Sequence, residues 1–268
     1  MPQREEPVVL TLDYPGYRKE ARIDELGLDG HGVRVHGLLR APLPRAVSGA
    51  DYAARLLANV PSGTGPIAAV AAYCASAPLA FEVAAALGGE PPSIVLFDAE
   101  ATSLDSITAD YRARLGGLGV QPDEQELSER VDTVALAEDP ERFVEELTSE
   151  VARQAHAALR AAGAGEAEIA ASAGHMVSAY TDWLSHLIAA HHARTSPWEG
   201  EVLHLVSADA DPSGFVRAAG HGRQRTLRLS CDRFELLRSE ETRASVLDAL
   251  GLPLTSATRE KTEHCPAV

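Results

Sequence analysis

The stretch from residue 67 to residue 87, IAAVAAYCASAPLAFEVAAAL, leaves this chain little choice of local structure. Its opening residues are small or β-branched and apolar, the run breaks at Tyr73 and Cys74, and apolar residues resume at Leu79, Phe81, Val83 and Leu87. That order predicts a buried strand, a sharp turn and a helix. Small residues crowd the break at Ala72, Ala75, Ser76 and Ala77. A backbone needs them when it thrusts one side chain outward on a strained strand-to-helix turn. Such nucleophile elbows are written G-x-S-x-G. Here Ala72 and Ser76 stand in the glycine positions and Cys74 is the middle residue.

The remaining segments fit around that unit. Val8 to Leu12 reads as a buried strand running into the turn Asp13-Tyr14-Pro15-Gly16-Tyr17, and residues 33–38 alternate as a second strand. Residues 50–57 read as a helix, and Ser62-Gly63-Thr64-Gly65-Pro66 as the turn that feeds the elbow strand. That turn is no phosphate loop, since no Gly-Lys-Ser/Thr follows. Gly88-Gly89 stops the elbow helix, and residues 93–97 form an apolar strand that ends in Asp98. An acid there lies on the edge where open α/β sheets place their ligands. Residues 103–193 turn helical, as an insertion between sheet strands would, and strands follow at 202–206 and 226–229 with a closing helix at 240–250. With 268 residues, 45% of them hydrophobic, the chain can build one sizeable core. The expectation is an α/β fold with a mostly parallel central sheet and helices on both faces. A single domain would span 1–254, with a helical lid at 103–193 and a loose tail at 255–268.

Charge and cysteine usage narrow the function. A net charge of −15 argues against a general affinity for nucleic acid or anionic lipid, because a phosphate backbone needs a basic face. No apolar run reaches the roughly 20 residues of a membrane span, and the opening MPQREEP lacks a secretion signal's apolar core. A cytoplasmic protein is expected. Cys74, Cys231 and Cys265 stand far apart without C-x-x-C spacing, which suggests reduced thiols and no metal.

Beyond this local reading, the segments YCASAPLAFEVA, SIVLFDAE, WEGEVLHLVSADAD and CDRFELL, taken in order, resemble successive blocks of the thioesterases that accompany nonribosomal peptide and polyketide synthases. The resemblance covers nearly the whole chain and implies the α/β hydrolase fold with a helical lid. It places Cys74 on the nucleophile, the backbone of Ala75, Tyr14 and Gly16 around the oxyanion, and Asp98 on the acid. The late block of that family reads Gly-Asp-His-Phe, whereas Cys231-Asp232-Arg233-Phe234 puts Arg233 where the general base belongs. The substrate it implies is an acyl or aminoacyl group on the phosphopantetheine of an acyl or peptidyl carrier protein, with no bound cofactor.

Arginine cannot act as that base, since it keeps its proton at any accessible pH. A cysteine can compensate, because a cation or a helix N-terminus lowers its pKa from roughly 8.5 and a thiolate attacks unaided. Cys74 facing Arg233 is therefore expected to be a thiolate that accepts an acyl group, while water goes unactivated. The leading function is a cysteine-dependent acyl or aminoacyl transferase on carrier-bound thioesters. One alternative is a non-catalytic protein that binds a carrier or an acyl ligand, with Cys74 merely buried and Asp98 and Arg233 paired as an inert bidentate clamp. The other is a hydrolase with a displaced base. His221, in a Gly-rich loop, is the candidate base and Asp209 the fallback acid, while His204 reads as a core residue. His175, His186, His191 and His192 read as packed or solvated residues of the lid. Trp183, Met176, Leu184 and Leu187 read as lid packing. Arg112, Arg114, Arg217, Arg223 and Arg225 are candidates for a basic docking patch, with solvated charge as the plainer reading.

Overall fold

Four apolar runs in the sequence become four adjacent strands because every strand of a parallel sheet with both faces covered must be apolar on both sides. The computed structural model describes residues 6–16, 18–193, 198–211, 215 and 223–252. In chain order its strands are β1 (Val8–Leu12), β2 (Arg34–Gly37), β3 (Ile67–Tyr73), β4 (Ser93–Phe97), β5 (Val202–Val206) and β6 (Gln224–Arg228). The helices are α1 (Gly49–Leu57), α2 (Ala77–Leu87), α3 (Leu104–Gly117), α4 (Glu124–Arg130), α5 (Thr133–Glu138), α6 (Pro140–Ala161), α7 (Glu166–His191) and α8 (Glu240–Ala249). The six strands lie in the order β2-β1-β3-β4-β5-β6, and every pairing is parallel. The sheet expected to be mostly parallel is parallel throughout.

Alternation divides the sheet into two faces. Val9, Ala69, Ala71, Tyr73, Val95, Phe97, Leu203 and Leu205 share one buried cluster with Val246 and Leu247 of α8 and with Ile23, Leu26 and Leu28. Those last three lie on two short 3₁₀ turns at Ile23–Leu26 and Leu28–His31, which are too brief to leave a helical period in the sequence. The opposite face carries Leu10, Leu12, Val70, Ala72, Ile94 and Leu96, all buried. It is covered by α2, whose Leu79, Ala80 and Val83 are fully buried. Burial of Leu79 or Val83 contributes about 1.5–3 kcal/mol each.

The chain divides into two compact units. One carries the sheet with α2 and α8, and the other takes 42–55 together with α3 to α7. In the helical unit Phe143, Leu147, Val151 and Ala155 form a buried stripe on α6 at helical spacing, as Ile169, Ala173, Tyr180, Leu184 and Ile188 do on α7. Side chains of Ser103, Asp123, Asp132 and Asp139 cap α3, α4, α5 and α6, satisfying N–H groups that the first turn leaves open. His186 stacks on Trp183 with ring centroids 5.7 Å apart, and burial lowers its pKa to about 3. His191 and His192 turn to separate carbonyls, Thr102 at 2.9 Å and Val47 at 3.0 Å. Among the described residues no helix is long and apolar enough to cross a membrane. The segment 255–268, including Cys265, lies outside the described residues.

Among the described residues, two that are not glycine adopt a left-handed backbone, Cys74 at φ +53° and Asp98 at φ +40°. An L-residue there costs about 1–2 kcal/mol, so glycine relieves strain at position 74 that alanine retains. In chemical denaturation Cys74→Gly is expected to be more stable than Cys74→Ala by about 1 kcal/mol. Equal stabilities would show that the bend is unstrained.

Candidate active site

Register brings the ends of the strands together. Leu12 of β1 pairs with Ala72 of β3, Tyr73 with Phe97 of β4, and Phe97 with Leu205 of β5. The loops after β1, β3, β4 and β5 therefore leave from one edge, the C-terminal edge of a parallel sheet. At the end of β3 the chain enters a 3₁₀ turn at Cys74–Ser76 and continues directly into α2. The expected elbow is present, with Cys74 at its bend. Ala72 and Ser76 are 0% and 2% exposed, so residues at both former glycine positions are enclosed.

The turn after β4 is held by three polar contacts. Ser207 donates its N–H to Asp98 Oδ1 at 2.7 Å and its hydroxyl to Oδ2 at 2.8 Å. The Ala99 N–H donates to His204 Nε2 at 3.1 Å. His204 is 2% exposed, and burial lowers its pKa to about 4, so it is a neutral ring whose Nε2 is an acceptor already in use. It is the core residue the sequence suggests. Burial pushes the Asp98 carboxyl above the usual range, against the hydrogen bonds from Ser207 and the charge of Arg233. From this turn the Glu100 N–H reaches the Cys74 carbonyl at 3.3 Å, which fixes Glu100 beside the elbow.

Arg233 does not form the bidentate pair with Asp98 that an inert clamp requires. Both Asp98 oxygens are occupied by Ser207. The Arg233 guanidinium goes instead to Glu100, with Nη2 to Oε1 at 3.3 Å, and to Glu20, with Nε to Oε1 at 3.8 Å. Its backbone N–H donates to Asp209 Oδ1 at 3.2 Å, so Asp209 shapes the loop that presents Arg233. Tyr73 and Arg233 also adjoin, without an aligned hydrogen bond for the buried Tyr73 hydroxyl or Arg233 Nε. Burial pushes the Tyr73 phenol up to about 12 although the guanidinium opposes it.

The thiolate expected at Cys74 is corrected by these neighbours. Burial first, then the charge of the Glu100 carboxylate, push the Cys74 thiol up to about 12. The Ala75 N–H directed at the sulfur and the more remote effect of Arg233 pull the other way and lose. Arg233 is the cation the sequence places here, and its charge does act on the thiol, but burial and Glu100 outweigh it. Sequence reasoning missed Glu100, although it lies two residues beyond Asp98 in the quoted SIVLFDAE block.

The first loop is braced on its carbonyl side. Arg22 donates to three successive carbonyls, Tyr14 at 3.1 Å, Pro15 at 3.2 Å and Gly16 at 2.9 Å. A side chain at Gly16 would meet the Tyr14 ring at 3.0 Å, so glycine here makes room for that ring. Arg228 does the same for the loop after β5, donating to the carbonyls of Ser207, Ala208 and Ala210 at 3.1, 3.1 and 2.9 Å. His221 and Arg217 lie outside the described residues. Arg112, Arg223 and Arg225 pair with Glu124, Glu201 and Asp248, and Arg114 lies over the Tyr180 ring. Those four do not add up to an uncompensated basic patch. Among the described residues no group of three or more His, Cys, Asp or Glu could hold a metal ion.

Two outcomes follow. Replacing Glu100 by glutamine removes the charge that opposes the thiolate, so alkylation of Cys74 by iodoacetamide at pH 8, followed by peptide mass, should speed up about tenfold, the effect of one pKa unit. An unchanged rate would mean that burial alone sets the thiol. For His204, the folded pKa near 4 lies below the ordinary 6.5, so between those values the unfolded chain binds more protons. Stability present above pH 6.5 is then lost as pH falls toward 4. Thermal midpoints over this window should fall less steeply in His204→Gln.

No protein-family model and no curated protein matches the sequence. Among solved structures, the chain is similar to the NocB thioesterase domain in covalent complex with a fluorophosphonate nocardicin G analog. The TM-score is 0.50 at 19% identity, over 91% of this chain and 92% of that one. It is also similar to part of holo-AB3403, a four-domain nonribosomal peptide synthetase bound to AMP and glycine. There the TM-score is 0.52 at 14% identity, over 93% of this chain and 20% of that one. The all-parallel sheet, the elbow and these likenesses establish the α/β hydrolase fold.

Proposed function

We propose that this protein is a thioesterase-like acyl or aminoacyl transferase of natural-product biosynthesis. In this reading Cys74 takes the group from the phosphopantetheine thioester of a carrier protein and holds it for an acceptor. The observation that carries the reading is the strained left-handed backbone of Cys74 at the elbow. A bulky-enough residue in that conformation persists where the surrounding structure over-determines it, and such strain gathers at functional sites. Among the described residues, the state of the histidine and aspartate beside the elbow favours transfer over hydrolysis. Hydrolysis of an acyl-cysteine needs a group that activates water, and an imidazole near neutral pKa serves that purpose. His204 is neutral with Nε2 engaged, and both Asp98 oxygens accept from Ser207.

A second reading, binding without covalent transfer, is favoured by the thiol pushed up to about 12. On the order of one molecule in 10⁵ is then ionised at neutral pH. One experiment separates the readings. The protein is incubated with a carrier bearing an acetyl or alanyl phosphopantetheine thioester, with intact mass and free acid followed together. The expected result is an acyl increment on Cys74, absent in Cys74→Ala, with little free acid released. Association with the carrier and no adduct would replace transfer by binding, and steady release of acid would replace it by hydrolysis.

A further inference from the structure

We infer that Glu100 is the catalytic acid–base of the transfer, the carboxylate that takes the Cys74 proton and returns it to the departing sulfur. This rests on the transferase reading and assigns the role left open by arginine in the histidine position. Three observations support it. The Glu100 backbone is tied to the Cys74 carbonyl at 3.3 Å, so its side chain starts from the bend itself. Its carboxylate lies near enough to the thiol for its charge to weigh on it, and a proton acceptor needs that reach, directly or through one water, before transfer begins. Its Oε1 lies 3.3 Å from Arg233 Nη2, which orients the carboxylate much as a third group orients the base in a triad. The Glu100 side chain is 54% exposed, so a carboxyl formed there can meet an incoming or departing thiol.

The step balances without a further reactant. As the Cys74 sulfur bonds to the acyl carbon, its proton passes to Glu100. As the bond from the acyl carbon to the carrier sulfur breaks, the electron pair leaves with that sulfur, which takes the proton back. The products are acyl-Cys74 and a carrier thiol, and Glu100 is again a carboxylate. Release to a second carrier thiol runs the same sequence in reverse.

The same neighbour that holds the thiol protonated at rest is thus the group that removes its proton during reaction, and this gives a sharp test. If Glu100 only suppresses the thiolate, Glu100→Gln accelerates alkylation and acyl transfer alike. If Glu100 is the acid–base, Glu100→Gln accelerates alkylation yet slows acylation of Cys74 by a carrier thioester at least tenfold. Its acylation rate then climbs with pH to above pH 9, while Glu100→Asp recovers part of the neutral-pH rate. Acylation unchanged or faster in Glu100→Gln, with the unaltered protein acylated normally, would overturn the role of Glu100 and leave the transferase reading standing. No adduct in the unaltered protein would overturn both. Far-ultraviolet circular dichroism and the thermal midpoint of each variant, measured on the same samples, show that it has folded, and a variant without the native midpoint is replaced by Glu100→Asp in the comparison.

Discussion

The site depends on how the turn after β4 is held against its neighbours. Asp98 adopts a backbone conformation that an L-residue avoids, and it does so while two donors from Ser207 grip its carboxylate and His204 accepts the next N–H. Those contacts tie the end of β4 to β5. One residue further, the Glu100 N–H ties the same turn to the carbonyl of Cys74, whose backbone is equally unfavourable. The two strained residues are therefore braced through one run of chain, Asp98-Ala99-Glu100, and the cost of each is offset by hydrogen bonds that secure the other.

Charge at the elbow is decided by the order in which the groups lie. A guanidinium placed against a thiol lowers its pKa, and a carboxylate raises it. Both are present, and the Glu100 charge weighs more on the thiol than that of Arg233, which itself lies 3.3 Å from Glu100. The carboxylate and burial together prevail. Arg233 thus does more than add charge to the elbow. It has supplied a permanent partner that keeps a carboxylate beside the sulfur.

Much of the fold was legible in the sequence because parallel strands covered on both faces declare themselves as continuous apolar runs, and the elbow as a strand that stops among small residues. Its strands at Val8–Leu12, Ser93–Phe97 and Val202–Val206 match the apolar runs end to end. The 3₁₀ turns carrying Ile23, Leu26 and Leu28 were not legible, since a single turn shows no period. At the site, the positions of Cys74, Asp98 and Arg233 could be read from block order, but their partners could not. Ser207 and Glu100 are a small polar residue and a surface carboxylate by composition. What gives them consequence is cross-strand register, which brings residues more than a hundred positions apart into contact. The thiol was misjudged for the same reason: the anion that acts on it, Glu100, comes from the loop after a neighbouring strand.

The loops at this edge are framed by two guanidiniums, Arg22 across the carbonyls of 14–16 and Arg228 across those of Ser207, Ala208 and Ala210. A guanidinium stays charged throughout the range in which proteins survive, and a carbonyl does not titrate at all. The bracing of these two loops is consequently blind to acidity, unlike the turn after β4, which Asp98 and His204 hold. A bell or a step in a rate profile between neutral and alkaline conditions can then be assigned to sulfur and carboxyl chemistry, without a loosening of these loops entering the account.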